Sequence, residues 1–139
     1  RQQITRIVNI IKDKNQDTTD LDKVMQTLDD NEDPVCIIGC LGGNRSQEWS
    51  NFNIMYTHMK KHIYIVDDDN VIFLLAPGKH RIHNEEQIAR KVGLIPLGNP
   101  CKSVTTKGLK WNLDNATLGF GGMISSSNQM VESVVEIET

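Results

Sequence analysis

No stretch of this 139-residue chain approaches the roughly 20 consecutive apolar residues that a membrane-spanning helix needs, so an integral membrane protein is not expected. A secretory leader is not expected either, because Arg1–Thr5 is polar and the apolar run Ile7–Ile11 is too short for one. Positive charge is in deficit: 15 Lys and Arg stand against 18 Asp and Glu, and the net charge of −3 speaks against a nucleic-acid surface. Cysteine is sparse. Cys36, Cys40 and Cys101 are odd in number and lack any C-x-x-C spacing, which argues against a disulfide framework or a zinc site. A reduced, cytoplasmic protein is the simplest expectation, and there the sequons at Asn44 and Asn115 carry no glycan. His58, His62, His80 and His83 show no metal-ligand spacing with a third ligand, and all four read as surface or partly buried.

What is present suffices for a folded protein. Hydrophobic residues make up 38% of the chain, and its length suits one ordinary domain or two small ones. Arg1-Gln2-Gln3 leads straight into the β-prone run Ile7–Ile11, and Thr139 stops inside a strand-like pattern, so both ends read as cuts through a larger protein.

The first half reads as α/β. Ile7–Ile11 is a short buried strand, followed by the polar loop 15–20. Thr19 or Asp20 caps a helix over Leu21–Leu28, with Leu21, Val24, Met25 and Leu28 on one face. The run Val35–Leu41 has the pattern of a parallel strand buried on both faces. Gly42-Gly43 turns the chain into a second helix over Gln47–Lys60, whose stripe Trp49, Phe52, Met55, Tyr56 and Met59 reads as core. A strand over His62–Val66 closes the unit, and ligands in such sheets sit beyond the carboxyl ends of the strands. From Asn70 onward the period changes. Short strand candidates at 71–75, 79–83, 93–97, 102–106, 109–113, 118–125 and 133–138, with a helix only at 85–91, predict a small antiparallel β-sandwich. The fold expected is therefore a truncated parallel-sheet α/β domain over residues 1–68, then an all-β sandwich over 69–139.

Several side chains can carry chemistry, each with a plainer alternative. Asp17 and Asp20 can hold Mg²⁺, which takes one or two carboxylates plus phosphate oxygens, or can be a helix cap with a solvated neighbour. Gly42 and Gly43 present free amides to phosphate oxygens, with Arg45 to neutralise charge on a transferred group, or simply connect strand to helix. Asp67-Asp68-Asp69 reads as a solvated hinge or hairpin tip rather than a metal cluster. Trp111 packs in the core or lines a pocket. Ser125–Asn128 hydrogen-bonds a polar small molecule or caps its own loop.

Three blocks in order, Gly108-Leu-Lys-Trp-Asn-Leu113, Gly121-Gly122 and Ser125-Ser-Ser-Asn128, resemble the vitamin-binding domain of the thiamine pyrophosphokinase family. Upstream, Pro77–Arg81 and Gly93–Gly98 look like the eukaryotic branch, so the resemblance runs from about Asn15 onward. Gln16-Asp17-Thr18-Thr19-Asp20 resembles the family's Asp-Gln-Asp-x-Thr-Asp motif, with Asn15 in place of its first Asp. The resemblance implies pyrophosphate transfer from ATP to thiamine, with Mg²⁺, in a homodimer with shared active sites. Asp20 would help hold the metal, Gln16 and Thr19 would lie near thiamine, and Ser125 and Asn128 would contact its aminopyrimidine ring. Two departures stand out. The family's Gly-Arg-x-Asp turn reads Gly43-Asn44-Arg45-Ser46 here, with Glu48 the nearest acid, and its acidic Gly-Asp-x-Asp-Ser run has no match in residues 1–139. The alternative implied is a catalytically incomplete thiamine-binding or dimerisation remnant.

Overall fold

The computed structural model describes residues 12–28, 33–84 and 90–139. The predicted strand Ile7–Ile11 and most of the predicted helix 85–91 lie outside the described residues. The chain divides into two compact units, one ending at Leu74 and the other running Leu75–Thr139. Among the described residues there are two α-helices and nine strands.

In the first unit, Thr19 caps helix α1 (Asp20–Gln26) through a reciprocal box: its hydroxyl accepts from the Asp22 amide, and the Asp22 carboxylate accepts from the Thr19 amide. Strand β1 (Val35–Ile38) ends at Gly39, whose φ of +76° breaks the strand. Helix α2 (Arg45–Thr57) crosses to β2 (Ile63–Val66), which pairs parallel with β1. Strand β3 (Val71–Phe73) returns antiparallel along β2, giving the order β1-β2-β3. Met25, Ile37, Ile54, Met55, Ile63 and Ile65 form the core between helices and sheet. Ile65, on the central strand, is wholly buried. Ile65→Ala is expected to cost about 2–5 kcal/mol, read as a lower urea midpoint, because so enclosed a site cannot collapse around the lost atoms.

Three expectations for this unit are corrected. β1 is covered on one face only: Ile37 is buried, while Cys36 and Ile38, which alternate onto the other face, are exposed. The stripe on α2 is rotated. Its buried face carries Ile54 and Met55, with Asn51 donating to the Cys40 carbonyl at 2.7 Å, while Trp49, Tyr56 and Met59 are exposed. Phe52 is partly buried and meets Trp49 edge to face. Finally, 67–70 is the tip of the β2–β3 hairpin, one of the two readings given for it, and the compact units divide further on, after Leu74. The Asp67 carboxylate accepts from the amides of Asp69 and Asn70 and from the Asn70 side chain, and these donors hold it below the usual carboxylate range. The division falls after Leu74 because β3 pairs with β2, with Phe73 against Tyr64.

The second unit is antiparallel throughout. Strands β4 (Lys79–His83), β9 (Val134–Glu138), β6 (Cys101–Lys107) and β7 (Ala116–Leu118) form one sheet in that order, and β5 (Lys91–Leu94) pairs with β8 (Ser125–Gln129). The period-2 pattern is clear on β9, where Val135 and Ile137 point into the core with Leu109. Glu136 and Glu138 face outward and meet Arg81, Lys107 and Lys79 across the strands. Residues 109–113 do not form the predicted strand, apart from a bridge between Leu109 and Met130. The predicted strand 118–125 is broken by a turn in which the Gly119 amide donates to the Met123 carbonyl at 2.8 Å. Ser125–Asn128, expected at a strand end or loop, is itself strand β8.

Candidate functional site

The candidate residues fall in both units: 16–20 and 42–45 in the first, Trp111, Ser125 and Asn128 in the second.

In the loop before α1, Gln16, Asp17 and Asp20 are exposed. The Asp17 amide donates to Asn15, which fixes the turn without engaging the Asp17 carboxylate. Asp20 opens the helix with its side chain fully solvated and the Lys23 ammonium 3.8 Å away. The Thr19 hydroxyl is engaged at both ends by Asp22, so it serves the helix cap. Among the described residues no three His, Cys, Asp or Glu side chains gather at metal-binding distance.

The turn into α2 is built by Gly42 and Gly43, with φ of +85° and +106°, values that side chains disfavour. Asn44 caps the helix by accepting from the Ser46 amide. The groups expected to meet phosphate instead meet a carboxylate. Glu48 Oε1 accepts from the Gly42 amide at 2.6 Å, and Arg45 donates from one nitrogen to both Glu48 oxygens, at 2.9 and 2.7 Å. Glu48 is thus the partner of Arg45, not a free acid replacing the family aspartate. Its pKa is lowered, first by the hydrogen bond from Arg45 and then by that from Gly42. A depressed acid contributes stability above its unfolded pKa of about 4.3, and that contribution is lost as pH falls through the lower folded value. Carbon-13 NMR of the Glu48 carboxyl should therefore show a midpoint below 4.3 or so, returning upward in Arg45→Ala. A midpoint unchanged by Arg45→Ala would remove the ion pair from the account.

In the second unit, residues 108–113 are held partly through backbone, with the Lys110 amide donating to Gln129 of β8 and the Val131 amide to Gly108, and partly by side chains. Thr106 and Leu113 pair through the Thr106 amide and hydroxyl, at 2.9 and 2.8 Å. Asn112 accepts from the Leu109 amide at 3.1 Å. Asn128, almost completely buried, accepts from the Trp111 amide at 3.2 Å and donates to the Trp111 carbonyl at 2.7 Å. The Asn128 oxygen also accepts from the Gln129 amide. Trp111 is exposed, with the Lys110 ammonium 4.6 Å from its ring centre, so it is not the core residue that its alternation with Lys110 and Asn112 allowed. Ser125 is half-buried on β8, opposite Leu94.

Two family models match in succession: "Thiamin pyrophosphokinase, catalytic domain" over residues 1–66 and "Thiamin pyrophosphokinase, vitamin B1 binding domain" over 79–139. The chain belongs to the thiamin pyrophosphokinase family. Thiamine pyrophosphokinase 1 of Oryza sativa subsp. japonica is 40% identical over 131 residues, covering 88% of this chain and 50% of the relative. Thiamine pyrophosphokinase 2 of Arabidopsis thaliana is 38% identical over 133 residues, covering 89% of this chain and 50% of the relative. The solved thiamine pyrophosphokinase of Bacillus subtilis superposes with a TM-score of 0.80 at 27% identity, over 89% of this chain and 59% of that one. This chain therefore spans about half the length of the curated thiamine pyrophosphokinases it matches. Its α/β plus all-β architecture is that of the family.

Sequence reasoning missed Thr106 and Asn112, which support the thiamin pyrophosphokinase motif 108–113 from either end. Two polar residues flanking a Gly-Leu-Lys-Trp run were the available signal, since an extended segment without a partner strand needs side chains to satisfy its backbone.

Proposed function

We propose that this chain takes part in the thiamine pyrophosphokinase reaction, in which thiamine and ATP give thiamine diphosphate and AMP. The observation that carries this reading is the succession of a catalytic and a vitamin-binding family model along one chain. The hydroxyethyl oxygen of thiamine attacks the β-phosphorus in line, and AMP leaves with the bridging oxygen. The protein positions reactants and neutralises charge. In this reading Gly42, Gly43 and Arg45 meet phosphate oxygens after Arg45 exchanges Glu48 for them, and Asp20 and Arg45 are the catalytic groups. Gln16 and Thr19 in the first unit, and Ser125, Asn128 and Trp111 in the second, are each assigned to thiamine, directly or by support.

Magnesium fits the loop before α1. One or two carboxylates plus phosphate oxygens make its usual donor set, and Asp20 offers a fully solvated carboxylate, with Asp17 in the same loop. Bound there with ATP, Mg²⁺ polarises the phosphates and templates their geometry. A homodimer with shared sites and a cytoplasmic location complete the proposal. The three cysteines are free, which suits a reducing compartment.

A second reading, a thiamine-binding or dimerising remnant, draws on the engagement of both Gly42 and Arg45 by Glu48. Chromatography of the chain with thiamine and MgATP separates the two. Equal amounts of AMP and thiamine diphosphate are expected. Saturable quenching of tryptophan fluorescence by thiamine, without AMP, would select the remnant. Neither signal from a folded sample would end both binding readings.

A further inference from the structure

We infer that Asn128 is a positioning residue, which acts on the ligand through Trp111 instead of touching it. The inference rests on the reading of the second unit as the thiamine site. A primary amide offers one oxygen and two N–H groups. The Asn128 oxygen already accepts from two amides, Trp111 at 3.2 Å and Gln129 at 2.8 Å, and one N–H already serves the Trp111 carbonyl at 2.7 Å. The side chain is 4% exposed. A ligand reaching for the oxygen or for that N–H would have to break a buried pair, leaving the Trp111 backbone unsatisfied, and the second N–H belongs to a residue almost closed to solvent.

The same two bonds explain how an exposed tryptophan is held in one place. Residues 109 and 110 are paired through backbone, Leu109 bridging Met130 and the Lys110 amide donating to Gln129 of β8, and at Trp111 a side chain takes over. Asn128 pairs with both polar groups of Trp111 as a facing strand residue would. Lys110 on one side donates its amide to the Gln129 carbonyl at 2.9 Å, and Asn112 on the other accepts from Leu109. The ring then projects from a fixed backbone with Lys110 over it. An aromatic surface fixed before binding costs less ordering entropy when a flat ring stacks on it. Ser125, three residues earlier on β8, has no such engagement and remains free to contact a ligand directly.

The test uses the full 139-residue chain with Trp49→Phe, which leaves Trp111 as the sole tryptophan. Asn128→Ala is expected to abolish the near-UV circular dichroism of Trp111, to raise its quenching by acrylamide, and to weaken thiamine binding by about tenfold or more. Thiamine affinity in the Trp111→Ala background supplies the decisive comparison. There Asn128→Ala should weaken binding little further, because its effect passes through the ring. A full, additive loss in that background with an unchanged Trp111 spectrum would make Asn128 a direct contact and overturn the inference. Asn112→Ala covers the case in which Asn128→Ala does not fold. Its side chain is exposed, and it should shift the Trp111 spectrum in the same direction by a smaller amount; an unchanged spectrum would count against the clamp. If the unmutated chain binds no thiamine, the functional reading fails, and the spectrum of ligand-free Trp111 still decides whether Asn128 positions the ring.

Discussion

Asp20→Ala should reduce AMP formation by at least about 100-fold while the fold survives, as expected for removal of a group that stabilises transferring charge. The two halves of that expectation come from different features of one residue. The carboxylate is fully solvated, and its neighbour, the partly buried Lys23, lies 3.8 Å away in a long i,i+3 pair that solvent screens from the Asp20 side and that contributes little to stability. The cap of α1 belongs to Thr19, so losing Asp20 leaves it in place. Thr19→Ala is the contrasting variant. It removes both bonds with Asp22 and should lower stability by about 0.5–2 kcal/mol. Mg²⁺-dependent turnover and thermal melting of the two proteins distinguish metal binding from helix capping. Near-parental turnover in Asp20→Ala would remove Asp20 from the metal site.

The order of elements was legible wherever burial and local chemistry pointed the same way. Lys79–His83 alternates cleanly, and β4 has those bounds. The strands near Val35 and Ile63 follow from their branched apolar runs, and the cap at Thr19 follows from a hydroxyl with an acid three residues on. Helix α2 was legible as a helix but not in its orientation. Apolar residues spread widely round it, and of the expected stripe Met55 is buried, beside Ile54, which the stripe left out, while Trp49, Tyr56 and Met59 are exposed. A polar contact, Asn51 to the Cys40 carbonyl, lies on the face that wins. The segment 109–113 looked like a strand because β-propensity records side chains, whereas a strand needs a backbone partner, and backbone pairing toward β8 stops at Lys110, beyond which the Asn128 side chain and then Thr106 take over. In the site, residue identities marked where chemistry sits but not which atoms were already engaged. Glu48 on Arg45 is an i,i+3 helix pair whose spacing was readable, whereas Asn128 on Trp111 joins positions that no spacing rule links in advance.

Gly108→Ala should destabilise the second unit by about 2–4 kcal/mol, adding backbone strain to a steric clash. Gly108 has a φ of +81°, and a Cβ built there would lie 2.5 Å from the Val134 carbonyl oxygen and 3.3 Å from the Val135 Cα. The obstacle is backbone at the start of β9, so no side-chain rotation relieves it. Either residue 108 moves or β9 does. If residue 108 moves, its carbonyl leaves the amides of Val131 and Glu132, at 2.9 and 3.3 Å, and Leu109 shifts in the core. If β9 moves, Val135 and Ile137 leave their packing and the pairings with β4 and β6 loosen. Gly42→Ala is the control. Its φ is +85°, yet nothing lies within 4 Å of the built Cβ, so strain is its only cost, about 1 kcal/mol. Urea denaturation is followed by Trp111 in the Trp49→Phe chain for Gly108→Ala, and by Trp49 in the Trp111→Phe chain for Gly42→Ala, so that each unit is read through its own tryptophan. A loss near 1 kcal/mol at Gly108, matching the strain at Gly42, would mean that β9 yields to the new methyl and that the close approach is not what fixes glycine there.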